Sequence, residues 1–99
     1  MKFFVIGLGS MGKRRVRNLL SLGHHDIIGY DIRNDRMDEA KKKYDIKIVQ
    51  SAELGFSQNP DIVIISTWPN QHLIYAKESA KRKMPFFIAK NRVSLATSG

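Results

Sequence analysis

Phe3-Phe4-Val5-Ile6-Gly7-Leu8-Gly9-Ser10-Met11-Gly12 is the stretch whose reading decides the fold. Four apolar residues make a short buried strand, three glycines break it, and a segment of helical spacing follows. In a strand-turn-helix unit each glycine has its own task. Gly7 permits the tight turn, Gly9 leaves the backbone open to an approaching pyrophosphate, and Gly12 lets the helix pack closely on the strand. The unpaired N–H groups of the helix start, Ser10 and Met11 among them, carry partial positive charge and hold an anion without a charged side chain. A glycine-rich turn without a ligand has the same local pattern, so context must decide. A second apolar run, Ile27-Ile28-Gly29-Tyr30, ends in Asp31. That is about 24 positions after Gly7, where an acidic residue receives the hydroxyls of an adenosine ribose. The expectation is a dinucleotide site.

The 99 residues suffice for one α/β core, and residues 1–99 read as a single dinucleotide-binding domain. Absence of cysteine excludes a disulfide framework, thiolate metal sites and a cysteine nucleophile, and fits a cytoplasmic setting. The apolar stretches are too short for a membrane span or a secretory signal, and no metal site is expected. A formal charge of +8 raises nucleic acid as a partner. The basic residues, however, fall in three separate helical segments: Lys13 to Arg17, Lys41 to Lys43, and Lys77 to Lys83. They read as solvated helix faces, with no aromatic-interleaved basic motif, so specific nucleic-acid binding is not expected.

Strand and helix signals alternate along the whole chain. Strands are expected at about residues 2–6, 26–31, 46–49, 61–65 and 85–89, and helices at about 11–22, 34–44 and 71–83, with a short turn at 51–57. This alternation predicts a three-layer, Rossmann-like α/β fold: five parallel strands in order 3-2-1-4-5, with helices on both faces. The first helix is expected to turn Met11, Val16, Leu19, Leu20 and Leu22 inward, its arginines outward, and to end at Gly23. Ile62 to Ile65 reads as a central strand. Ligands of open parallel sheets lie beyond the carboxyl ends of the strands, so Ser66, Thr67, Trp68, Pro69 and Asn70 should reach the crevice.

The glycine turn, Asp61-Ile62-Val63-Ile64-Ile65-Ser66-Thr67, and Pro69-Asn70-Gln71-His72 with Ala76 resemble the cofactor domain of the Gfo/Idh/MocA oxidoreductases. The resemblance implies an NAD(P)-binding domain of an enzyme acting on a sugar, cyclitol or related alcohol. It implies further that the Ser-Thr loop, Asn70 and His72 line the nicotinamide side. In that family a Glu-Lys-Pro signature follows the fifth strand; Ala89-Lys90-Asn91 retains the lysine alone. Lys90 is then a candidate to polarise the reacting oxygen, with a solvated lysine at the sheet end as the alternative. The substrate domain of such enzymes would lie beyond this chain, so cofactor binding without turnover is expected.

Asp31 has two readings: acceptor for the ribose, favouring NAD, or cap of the second helix. Arg33 and Arg36 are placed to receive a 2′-phosphate, which keeps NADP open. His72 either touches the cofactor or closes a turn, and Trp68 is a crevice wall or a packed surface aromatic. Tyr30, Tyr44 and Tyr75 read as core margins. The edge of the fifth strand, with Phe86 and Phe87, suggests a homodimer. A nucleotide-sensing regulatory module without redox chemistry is the rival functional class.

Overall fold

A computed structural model describes residues 1–89 of the chain. The elements run β1 (Phe3–Ile6), α1 (Ser10–Ser21), β2 (Ile27–Tyr30), α2 (Asn34–Tyr44), β3 (Lys47–Ile48), α3 (Ala52–Ser57), β4 (Ile62–Ile65), α4 (Pro69–Lys81) and β5 (Phe86–Ile88). All strands are parallel, in order β3-β2-β1-β4-β5. Central β1 pairs on both edges, with Phe3 opposite Ile27 and Ile62 and Ile6 opposite Tyr30 and Ile65. All four of its side chains are buried, as a strand covered on both faces requires.

Alternation of side chains divides the core in two. Phe3, Val5, Ile27 and Ile64 point to one face, where they meet Val16 of α1 and Met37 and Ala40 of α2. Phe4, Ile6, Ile28, Val63 and Ile65 point to the other, where Phe56 of α3 and Tyr75 and Ala76 of α4 cover them. The Phe4 and Phe56 rings meet edge-on with centroids 5.3 Å apart. The architecture is therefore the three-layer Rossmann-like one expected from the alternation.

Boundaries differ where capping chemistry decides them. The last helix begins at Pro69, not 71, because proline suits the first helical position, where its missing N–H costs nothing. It stops at Lys81, short of the expected 83, because Lys83 turns left-handed at φ 58°. The N–H groups of Lys83 and Met84 then bond back to the carbonyls of Ala80 and Ser79. Helix α1 ends in the same type of turn at Gly23, whose N–H bonds to Leu20 while that of His24 bonds to Leu19. Leu22 does not face inward: it is 74% exposed. Six positions past Val16 place it about 240° round the helix axis, off the buried stripe. Nor do all the arginines of α1 face water. Arg15 is half-buried, with its guanidinium carbon 5.1 Å from the centroid of the Phe87 ring.

Candidate cofactor site

The carboxyl ends of β1, β2 and β4 open into a cleft of about 530 Å3, within the range of small-molecule sites. One wall is the glycine turn. Gly7 has φ +96°, and a Cβ there would stand 2.7 Å from the carbonyl oxygen of Ser66. At Gly12 a Cβ would fall 1.8 Å from the carbonyl oxygen of Gly7. Both positions thus exclude side chains for reasons of backbone conformation or packing. Gly9 is different. Its φ of −75° suits any residue, and the atoms nearest an added Cβ would be those of the Arg36 guanidinium, 3.4 Å away at Nη1. What Gly9 leaves free is space on the cleft side of the turn, where α1 begins with no side-chain cap on its N–H groups.

Asp31 lies just past β2, 4% exposed. Its Oδ2 accepts the backbone N–H of Leu8 at 2.7 Å, and its Oδ1 accepts that of Arg33 at 2.8 Å. Arg36 Nη1 approaches Oδ2 to 3.7 Å. The carboxylate therefore ties the glycine turn to the tip of β2 while still lining the cleft. It does not cap α2, whose N-cap is Arg33. Arg33 also lines the cleft, but its guanidinium forks onto the Asp35 carboxylate at 3.1 and 2.7 Å. That bond lowers the Asp35 pKa and raises that of Arg33.

Opposite stand Ser66 and Thr67. Their hydroxyl oxygens are buried and without a hydrogen-bond partner among the described residues. Buried orphan hydroxyls beside a patch of free helix N–H groups are the complement of a ligand rich in phosphate and ribose oxygens. The residues present therefore fit a dinucleotide. Trp68 lines the cleft and is 71% exposed, so it is both wall and surface aromatic.

Gly7, Gly9, Ser10, Met11, Asp31, Arg33, Arg36, Ser66, Thr67 and Trp68 thus converge on one cleft. Gly12 supports it from behind. Asn70 is exposed and His72 half-buried, and neither is among the cleft-lining residues. The His72 ring Nε2 lies 2.6 Å from the Thr67 carbonyl, to which it donates, so it closes the turn. Lys90 falls outside the described residues. The sequence reading gave no site role to Ile32 or Gln71 and took Tyr30 and Tyr75 for core margins, yet all four line the cleft. Burial first, then the neighbouring Tyr30 and Asp31, push the Tyr75 phenol above its ordinary pKa. The i, i+4 spacing of Gln71 and Tyr75, which sets both on one helix face, was the available signal.

A family model described as NADP oxidoreductase, coenzyme F420-dependent, matches residues 2–88. No curated protein matches by sequence. Among solved structures, prephenate dehydrogenase from A. aeolicus, determined with hydroxyphenyl propionate and NAD+, superposes with a TM-score of 0.78 at 22% identity. The match covers 89% of this chain and 33% of that one. A pyrroline-5-carboxylate reductase from Coxiella burnetii gives a TM-score of 0.71 at 24% identity, over 82% of this chain and 30% of its own. An imine reductase variant from Myxococcus stipitatus, with NAD+, gives 0.63 at 12%, over 88% and 38%. This chain spans about a third of the length of these structures. The match over residues 2–88 overturns the resemblance to the Gfo/Idh/MocA oxidoreductases and leaves the sugar or cyclitol substrate, which that resemblance alone implied, without support. The motifs behind that resemblance, the glycine turn and the β4 loop, serve to build a nucleotide cleft and carry no information about substrate.

Proposed function

This chain belongs to the family described as NADP oxidoreductase, coenzyme F420-dependent, and is an NAD(P)-binding unit of oxidoreductase type; on that footing we propose how its cleft holds the dinucleotide. The pyrophosphate lies against Gly9 and the N–H groups of Ser10 and Met11. The adenosine ribose meets Asp31 and Arg36. Ser66 and Thr67 give their unpaired hydroxyls to the ribose oxygens on the nicotinamide side, with His72 bracing the loop through Thr67. When bound, the nicotinamide supplies hydride transfer; the chain's own residues position it and exclude water on one side. Turnover belongs to a protein that also presents a substrate to the nicotinamide.

The observation that carries this reading is the contrast among the glycines. The fold leaves no room for a Cβ at Gly7 or Gly12, whereas at Gly9 a Cβ would approach only as close as 3.4 Å to the Arg36 side chain and would stand in the way of a ligand at the turn. Gly9→Val is therefore expected to retain the circular-dichroism spectrum and lose at least about tenfold in NADPH and NADH affinity by calorimetry, since an isopropyl group displaces the phosphates. Unchanged affinity would count against the site. Binding of ATP or AMP alone, with no response to either dinucleotide, would instead indicate a nucleotide sensor.

A further inference from the structure

We propose that Gln71 reads the base of the dinucleotide, making the cleft selective for adenine; this rests on the cofactor assignment above. The base end of the cleft is set by Asp31, since a base lies one sugar beyond its ribose. Immediately after Asp31 comes Ile32, a cleft-lining side chain that is 76% exposed. A large apolar group in that position gains cover from a flat base. Helix α4 contributes Gln71 and Tyr75, one turn apart, to the same cleft, and Tyr75 and Tyr30 both pack against the core cluster beneath it. Tyr75 and Asp31 line this same cleft, and the charge of Asp31 contributes, after burial and Tyr30, to holding the Tyr75 phenol protonated.

The chemistry of this corner is more specific than an apolar slot. An adenine edge offers a donor, the 6-amino group, beside an acceptor, N7, and a carboxamide carries the matching acceptor and donor in one plane. Among the described residues Gln71 is the carboxamide that lines the cleft, and the hydrogen bonds that brace the site at Asp31 and His72 do not use it. The tyrosine hydroxyls rotate and serve either as donor or acceptor, so they tolerate a changed base. Discrimination therefore falls to the amide.

The test compares NADH with its hypoxanthine counterpart, in which an oxo group replaces the 6-amino group, by calorimetry on the full chain. The wild type is expected to bind NADH roughly tenfold more tightly than the analogue, the scale of one good bidentate contact. Gln71→Leu should weaken NADH to the level of the analogue and leave the analogue nearly unchanged. A merely structural role would weaken both together. Gln71→Glu, which keeps an acceptor for the amino group and loses the donor to N7, should retain part of the preference. Equal wild-type affinity for the two dinucleotides, or a preference that survives in Gln71→Leu, overturns the role of Gln71 while leaving the cofactor site standing. Failure of the wild type to bind either dinucleotide overturns both.

Discussion

The carboxylate of Asp31 accepts the backbone N–H of Leu8 at 2.7 Å, so the tip of β2 and the glycine turn after β1 are joined by a side chain as well as by the sheet. Leu8 is fully buried, and its N–H has no route to water. Asp31→Ala strands that donor and is expected to cost about 1–3 kcal/mol of stability, measured by urea unfolding. It should also weaken NADH and NADPH together, because the turn that holds their common pyrophosphate loses its brace. Asp31→Asn keeps an acceptor oxygen and should recover much of the stability. A variant that lost only NADH binding at full stability would make Asp31 a ribose reader with no bracing role.

Arg36 sits between Asp31 and the open face of Gly9 and is only partly exposed. A guanidinium there neutralises the buried carboxylate and is within a side-chain rotation of a 2′-phosphate. Arg36→Gln is expected to reduce NADPH affinity by about tenfold or more while changing that of NADH by less than about threefold. Arg33 should matter less, since its fork is engaged by Asp35. Competitive titration of the two cofactors against the variant decides the matter; parallel losses would remove Arg36 from cofactor choice.

The sheet order and the glycine wall could be read from the sequence because both depend on local rules: an apolar run, a break, a helical stripe, and the chirality of parallel crossovers. The Ser66-Thr67-Trp68 loop was legible for the same reason, since it follows a fully apolar strand. What escaped depended on which way a side chain turns once helices have docked. Tyr75 and Tyr30 look like core margins in sequence, and they do pack on the core, yet their positions at the carboxyl end of the sheet also bring them to the cleft. Gln71 belongs to no apolar stripe, and only its i, i+4 spacing from Tyr75 relates it to the cleft-facing side of α4. Asn70, by contrast, was expected in the crevice from its place after the fourth strand and in the motif, but it lies in the first turn of α4 and is exposed.

Helix α4 ends on a left-handed residue that is not glycine, Lys83, at φ 58°. A Cβ in that conformation crowds the following carbonyl, at a cost of roughly 1–2 kcal/mol, whereas the Gly23 cap of α1 avoids it. The side chain of Lys83 is exposed, so little is lost by removing it. Lys83→Gly should therefore stabilise the domain by about 0.5–1 kcal/mol after the added chain entropy of the unfolded glycine is subtracted. A thermal midpoint raised by a few degrees is the expected reading. A lower midpoint would mean that Lys83 makes a stabilising contact which outweighs its backbone conformation.

Tyr75 gives the cleft a signature in alkali. Burial raises its pKa, and the negative charge of Asp31 adds to the effect, so the folded state keeps the phenol protonated where the unfolded chain has begun to release it. The stabilisation is complete below the unfolded value near 10 and is lost as pH rises through the higher folded value. Stability should thus be insensitive to this group at neutral pH and fall above about pH 10, with part of the slope absent in Tyr75→Phe. Ultraviolet titration should show a late phenolate component from Tyr75, and that component should disappear in the same variant. Bound NADPH brings further negative charge into the cleft and should delay it more. If the late component survived in Tyr75→Phe, the buried phenol would be another tyrosine; if NADPH bound without moving it, the dinucleotide would lie away from α4.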